Sequence, residues 1–200
     1  MAPEERRAAL IAATVPLLCA HGPAVSTRQI ADAAGVAEGT IFGVFPDKTS
    51  LLRASVITAL DPDPLLSVLR GIARTGDLRA RLRAVVELLR RRFAVNEPLI
   101  AAIRSIAADQ GGATEFRDRL KESRRAILAG VAAVFEPDRA RLRGDPESAA
   151  RLLFMLVMAT VHAGFGEPNA LSEMDSGEIV SVLLDGLLRP DPATPTGDPS

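Results

Sequence analysis

The chain has 200 residues, of which 48% are hydrophobic and 24% charged, with a net charge of −1. This composition supports a real buried core and excludes a disordered chain, while near-neutrality means that any nucleic-acid contact must come from local placement of cations. The single cysteine, Cys19, excludes an internal disulfide and a multi-cysteine metal site and fits a reducing compartment.

The first helix is expected over residues 3–20, with Leu10, Ala13 and Leu17 on a wide apolar face that Val15 and Leu18 extend. Pro16 inside it predicts a kink or an interruption before Leu17, because proline removes the bond to the Ala12 carbonyl and crowds it. Arg6-Arg7 ahead of the apolar residues 10–20 imitates the start of a signal peptide, but Glu4 and Glu5 spoil the positive region and a helix is expected instead.

A second helix has a strong start signal. Ser26 is a good N-cap, Gln29 three residues later completes a capping box, and Val25 with Ile30 can form a hydrophobic staple. It stops at Gly35. A third helix is expected from Glu38 to about Phe45, ended by Pro46, and Asp47 caps a fourth that begins at Lys48. Short helix, glycine turn, short helix is the pattern of a helix–turn–helix, in which the second helix lies in the major groove of DNA and the first braces against the backbone.

Downstream, Leu51, Leu52, Val56 and Leu60 continue the fourth helix, and Asp61-Pro62-Asp63-Pro64 breaks it. Helices are then expected over 65–74, 77–96 (arginine-rich, with an apolar stripe from Leu78 to Phe93), 98–108, 113–135, 145–164 and 174–188. Gly111-Gly112 reads as a loop. Residues 191–200, rich in Pro, Gly and Asp, read as a disordered tail. No stretch alternates as a strand does, so the fold class is all-α. The longest apolar run, from Leu152, stays short of the roughly 20 residues a membrane span needs, and a soluble, cytoplasmic protein is expected.

Residues 30–52, IADAAGVAEGTIFGVFPDKTSLL, resemble the signature of the tetracycline-repressor (TetR) family of bacterial regulators, through Ile30-Ala31, Ala34-Gly35-Val36, Gly39-Thr40-Ile41-Phe42, Phe45, Lys48 and Leu51-Leu52. The resemblance spans roughly residues 8–55. It implies an N-terminal helix–turn–helix DNA-binding domain, here residues 1–47, and a C-terminal helical domain, here 48–190, for effector binding and dimerisation. It further implies a homodimer on a near-palindromic double-stranded operator, released by a small hydrophobic effector, with repression the usual outcome. Thr27, Arg28, Thr40, Phe42 and Lys48 fall at positions that touch DNA in that family. Gly39 adds close backbone approach.

Several residues depart from the family pattern. Phe42 stands for the usual Tyr, Gly43 and Val44 replace larger side chains, Ala37 replaces a common Ser, and Glu38 brings a negative charge to the start of the third helix. With a head charge of zero, they motivate an alternative, a ligand-binding protein of the same fold with weak or lost DNA binding. No GxGxxG, phosphate-binding glycine loop or serine nucleophile elbow is present, and His21 and His162 lack carboxylates at ligand spacing. No enzyme, cofactor or metal is therefore expected. An effector pocket is expected among Phe93, Ile103, Ile127 and Met155, chosen as large apolar residues on the sensing helices. His162 and Arg104 are further effector candidates, although core packing or dimerisation for the first and a solvated face for the second are the expected roles. Arg90-Arg91-Arg92 is expected to be a solvated surface. The last two helices, with broad apolar faces, are the expected dimer interface.

Overall fold

The computed structural model describes residues 3–108, 113–161 and 173–187. Nine α-helices occupy these residues: α1 (Pro3–His21), α2 (Thr27–Ala34), α3 (Gly39–Phe42), α4 (Lys48–Ala59), α5 (Asp63–Ile72), α6 (Leu78–Ala108), α7 (Ala113–Phe135), α8 (Pro146–Val161) and α9 (Ser176–Leu187). Two 3-10 turns, Gly22–Ala24 and Glu136–Arg141, follow α1 and α7. The fold class is all-α, as the sequence predicts. No helix among the described residues is long and apolar enough to cross a membrane. The expected Gly111-Gly112 loop, the end of the 145–164 helix with His162, and the 191–200 tail lie outside the described residues, as does the Arg104 side chain.

The chain divides into two compact units. The first comprises Met1–Asp63 and Arg92–Arg125, so the unit that carries the helix–turn–helix extends past residue 47 into the second part of α6 and the first part of α7. Its core joins Leu10, Leu18, Ile30, Ile41, Phe45, Leu51 and Val56 of the N-terminal helices to Leu99, Ala102, Ile106 and Phe116. The second comprises Pro64–Arg91 and Ala126–Ser200. There α5 approaches α7 at Gly130, where an added Cβ would stand 2.6 Å from Leu66 Cδ2 and 3.1 Å from Leu69 Cδ1. Asp138 of the second 3-10 turn is paired with the buried Arg81 and, at 2.7 Å, with Arg141.

Local chemistry explains most boundaries. At the start of α2, Ser26 N–H donates to Gln29 Oε1 at 2.8 Å and Gln29 N–H donates to Ser26 Oγ at 3.2 Å, which is the full capping box. Val25 and Ile30 are both fully buried in the same cluster. At its end Gly35 takes φ 67°. Gly35 N–H donates to Asp32 O and Val36 N–H to Ala31 O at 3.0 Å, a Schellman end that needs the left-handed residue. A second box caps α9: Glu178 N–H donates to Asp175 Oδ1, and Asp175 N–H donates to Glu178 Oε2, both at 2.8 Å.

Three expectations are corrected. The interruption expected before Leu17 does not occur, since α1 runs on through Pro16; Pro16 and Ala12 are both exposed, so water can satisfy the freed carbonyl. The same holds at Pro98, which does not separate two helices but lies inside the continuous α6. Pro98 and Ala94 are exposed while Phe93, Leu99 and Ala102 on either side are buried, and burial of such side chains at roughly 1.5–3 kcal/mol each for the larger ones offsets a proline cost of about 3 kcal/mol. The third helix is shorter than expected, Gly39–Phe42, because its ends tighten into i→i+3 bonds: Thr40 N–H to Ala37 O at 2.9 Å and Val44 N–H to Ile41 O at 3.0 Å.

Gly35 has no atom within 4 Å of an added Cβ, so its requirement is purely backbone. Gly35→Ala is expected to lower unfolding stability by about 1 kcal/mol, read as a fall in denaturant midpoint at unchanged slope. Gly39, also with nothing within 4 Å and without a positive φ, serves as the control; Gly39→Ala is expected to cost no stability.

Candidate nucleic-acid interface

An isolated single turn of helix does not hold itself together in water. The turn α3 is held by what lies under it: Ile41 and Phe45 are buried, at 0% and 2% exposure. The buried Ile41 side chain alone contributes roughly 1.5–3 kcal/mol by area. Phe45 is further held by Arg7 of α1, whose guanidinium carbon lies 4.5 Å from the ring centroid, a cation–π contact that sequence spacing did not reveal.

With Ile41 facing inward, the opposite side of α3 faces solvent. Gly39 and Phe42 are exposed, Phe42 by 55%, and Thr40 is half-buried. Arg28, in the first turn of α2, is exposed, beside the free N–H groups that make a helix N-terminus a phosphate site. The remaining two candidates are engaged inside the protein. Thr27 Oγ1 donates a short hydrogen bond to Glu38 Oε1, which ties the start of α2 to the turn before α3 and occupies both groups. Lys48 Nζ donates to Pro23 O at 2.9 Å, pinning the start of α4 to the first 3-10 turn. An ammonium has three donors, so Lys48 retains capacity toward an anion.

Asp47 caps α4 by accepting from Ser50 N–H at 2.6 Å. That backbone hydrogen bond, then the Ser50 hydroxyl and Arg53, hold its carboxyl below the usual aspartate value.

The four effector candidates fall in both units. Phe93 and Ile103 belong to the first unit, Ile127 and Met155 to the second. Phe93 and Ile127 are buried, Ile103 is half-buried against the first core, and Met155 is 57% exposed. None of them lines the cleft formed by α1, α4 and α7 or the one along the first turns of α7. The arginine run is not simply solvated. Arg90 Nη1 donates to Met174 O at 2.9 Å, and Arg92 Nη2 donates to Leu60 O and Asp61 O, both at 2.9 Å. Ser123 Oγ donates to Leu60 O as well, at 3.2 Å. The buried Arg53 donates from Nη2 to Ile106 O at 3.2 Å. These contacts span 31 to 84 positions in sequence. No local pattern announces them, except that an arginine amid the buried run Leu51 to Val56 had to find a partner.

Residues 10–55 match the family model of bacterial regulatory proteins, tetR family. No curated protein matches the chain. Among solved structures, the chain is similar to the transcriptional regulator FadR from Bacillus subtilis in complex with stearoyl-CoA, at 18% identity and TM-score 0.64, covering 89% of this chain and 97% of that one. It is similar to SmeT, the repressor of the Stenotrophomonas maltophilia multidrug efflux pump SmeDEF, at 20% identity and TM-score 0.61, covering 97% and 96%. It is also similar to the reduced form of NemR from E. coli, at 16% identity and TM-score 0.66, covering 92% and 98%. At these identities the structural likeness establishes the fold, which is TetR-like. The helix–turn–helix segment belongs to the tetR family by its sequence.

Two outcomes test the geometry. Lys48→Ala is expected to lose about 1 kcal/mol of stability through the Pro23 contact, so unfolding must be measured beside any DNA titration. For Asp47 the folded pKa lies below the unfolded 3.8. Its stabilising contribution is therefore present above that value and drains away as pH falls through the lower folded one. Asp47→Asn keeps an acceptor, and its acid-unfolding curve is expected to be flatter below about pH 4. A curve parallel to the parent's would remove Asp47 from the acid response.

Proposed function

We propose that this chain, with its tetR-family helix–turn–helix, is a DNA-binding transcriptional regulator. Its specific role is that of a homodimeric repressor, each subunit offering one α3 turn to a half-site of a palindromic operator, with release by a small hydrophobic effector. The observation that carries this is the strip of exposed Arg28, Gly39 and Phe42 with half-buried Thr40 on a capped, core-anchored corner inside the segment that matches the family. Arg28 and Lys48 supply phosphate contacts; Gly39 lets the backbone approach; Thr40 and Phe42 present a hydroxyl, a methyl and a ring to base edges or sugars. Thr27 contributes on exchanging Glu38 for a phosphate. The protein acts without catalysis, in the cytoplasm.

Dimerisation through α8 and α9 is supported by their outward apolar residues. Leu152 and Met155 on α8 and Val182 on α9 are 49%, 57% and 58% exposed, apolar side chains of the kind a dimer interface covers. On that account Met155 serves the dimer and not the effector. FadR, with stearoyl-CoA bound, supports a hydrophobic effector by analogy of fold alone.

The alternative, a TetR-fold ligand-binding protein with weak or lost DNA binding, is favoured by the Thr27–Glu38 hydrogen bond, which keeps a carboxylate beside the reading surface. Fluorescence anisotropy on DNA flanking the gene, across a salt series with competitor DNA, separates the two. Saturable binding that survives competitor is expected. Absence of binding at low salt establishes the alternative. Gly39→Ala, which leaves the fold unstrained, is expected to weaken binding at least several-fold by blocking backbone approach, whereas Arg28→Ala weakens all sequences about equally and lowers the salt slope by about 1. Leu152→Glu is expected to convert the dimer to a folded monomer in sedimentation. A parent chain already monomeric at micromolar concentration would sink the two-half-site mechanism.

A further inference from the structure

Within the first compact unit a cleft of about 410 Å³ opens between α1, α4 and α7, a volume in the range of small-molecule sites. Its wall is divided by chemistry. Ala54 and Ile57 of α4 with Phe116 of α7 form an apolar side, while Arg7, Arg53 and Arg119 bring three guanidinium groups from three helices. Glu115 is the one carboxylate in the lining, and Ser50 adds a hydroxyl. Two of the cations are already held: Arg7 over the Phe45 ring at 4.5 Å, and Arg53, 8% exposed, by its bond to Ile106 O at 3.2 Å. Little ordering is left for a ligand to impose on them. A concave site with an excess of positive charge concentrates anions, and a bare anion leaves the apolar wall unused.

We propose that this cleft binds a small amphipathic organic anion, a carboxylate or phosphate monoester on a short apolar body. The anionic group meets Arg7, Arg53 and Arg119, and the body lies against Ala54, Ile57 and Phe116. The four effector candidates named from the sequence take no part in it. Because the site's apolar wall is largely α4, the helix that leaves the DNA-reading corner, an occupant bears directly on that helix. This last consequence, an effect on operator affinity, rests on the regulatory function proposed above; the binding does not.

The test is calorimetric titration of the full chain, without DNA, with octanoate and phenyl phosphate, against inorganic phosphate, octanol and octylamine. Saturable binding of at least one of the two organic anions is expected, with inorganic phosphate, octanol and octylamine weaker by about tenfold or more. Arg119→Glu is the variant of choice, since Arg119 is exposed on α7 and its replacement leaves the core intact; it is expected to weaken the anion by about tenfold or more, and Arg119→Lys to restore most of the affinity. The proposal is overturned if neither organic anion binds, if octanol, octylamine or inorganic phosphate binds as well as the organic anion that does, or if Arg119→Glu binds like the parent. Anisotropy with DNA is run separately. Anion binding without DNA binding leaves the cleft standing and removes the regulator; DNA binding without anion binding does the reverse.

Discussion

The placement of α4 is the constraint on which the first unit depends. This twelve-residue helix follows the DNA-reading corner directly, and donors hold it along its length. Lys48 ties its first turn to Pro23 O, Arg53 ties its middle to Ile106 O near the end of α6, and Arg92 with Ser123 holds the Leu60 carbonyl just past its end. Each pin joins a hydroxyl or a cation to a main-chain oxygen, and none is an ion pair. Hydrogen bonds to charged groups contribute about 1.5–3 kcal/mol where water is excluded and less where it is not, so the buried Arg53 is the strongest of the set. The acid response falls to capping carboxylates such as Asp47, whose carboxyl is held below its ordinary value.

The clamp explains how a recognition element of a single turn can be used at all. Propagation within α3 contributes almost nothing; Ile41 and Phe45 anchor it to a core that includes Leu51, Val56 and Leu99. The reading surface thus inherits its rigidity from α4 and α6. It is also poor in side chains. Gly39 and Gly43 carry none, and Phe42 is a ring without a hydroxyl. On the proposed function, what such a surface offers DNA is close backbone approach and one exposed ring, which favours shape and sugar contacts over bidentate base readout.

How much of this was legible in the sequence follows the range of each interaction. Ser26 with Gln29, Gly35, and Asp47 ahead of Lys48 act within one turn, so their spacing sufficed. Asp175 with Glu178 was equally local, and the same rule finds it. The prolines were misjudged because a local cost was weighed without its tertiary counterweight: Pro16 and Pro98 stand on exposed faces with buried residues nearby. The α3 end was overestimated because apolar Phe45 reads as helical, whereas its burial is reached from a tight turn. Lys48 and Thr27 show the limit at the site itself. Residue type and position named them as phosphate ligands, and only the three-dimensional arrangement shows the carbonyl and the carboxylate they already hold. Arg53 and Arg92 lay beyond any periodicity, since their acceptors are 53 and 32 positions away.

The same clamp sets the terms for regulation. A ligand shifts an equilibrium only by its differential affinity for the two states. Moving α4 against its neighbours in the first unit means loosening contacts at Pro23, Ile106 and Leu60, several kcal/mol in all if each retains even part of its strength. A ligand that touches only the periphery of α4 has little leverage over that sum. One lodged beside Arg53 has more, because that guanidinium is at once a cleft wall and the central pin. An anion there takes further donors of a guanidinium that already holds the Ile106 carbonyl, so it bears on the clamp at its most buried point. On the proposed function, coupling between a ligand and the DNA-reading corner then needs no long chain of intermediaries, since the residue engaged lies on the helix that follows the corner.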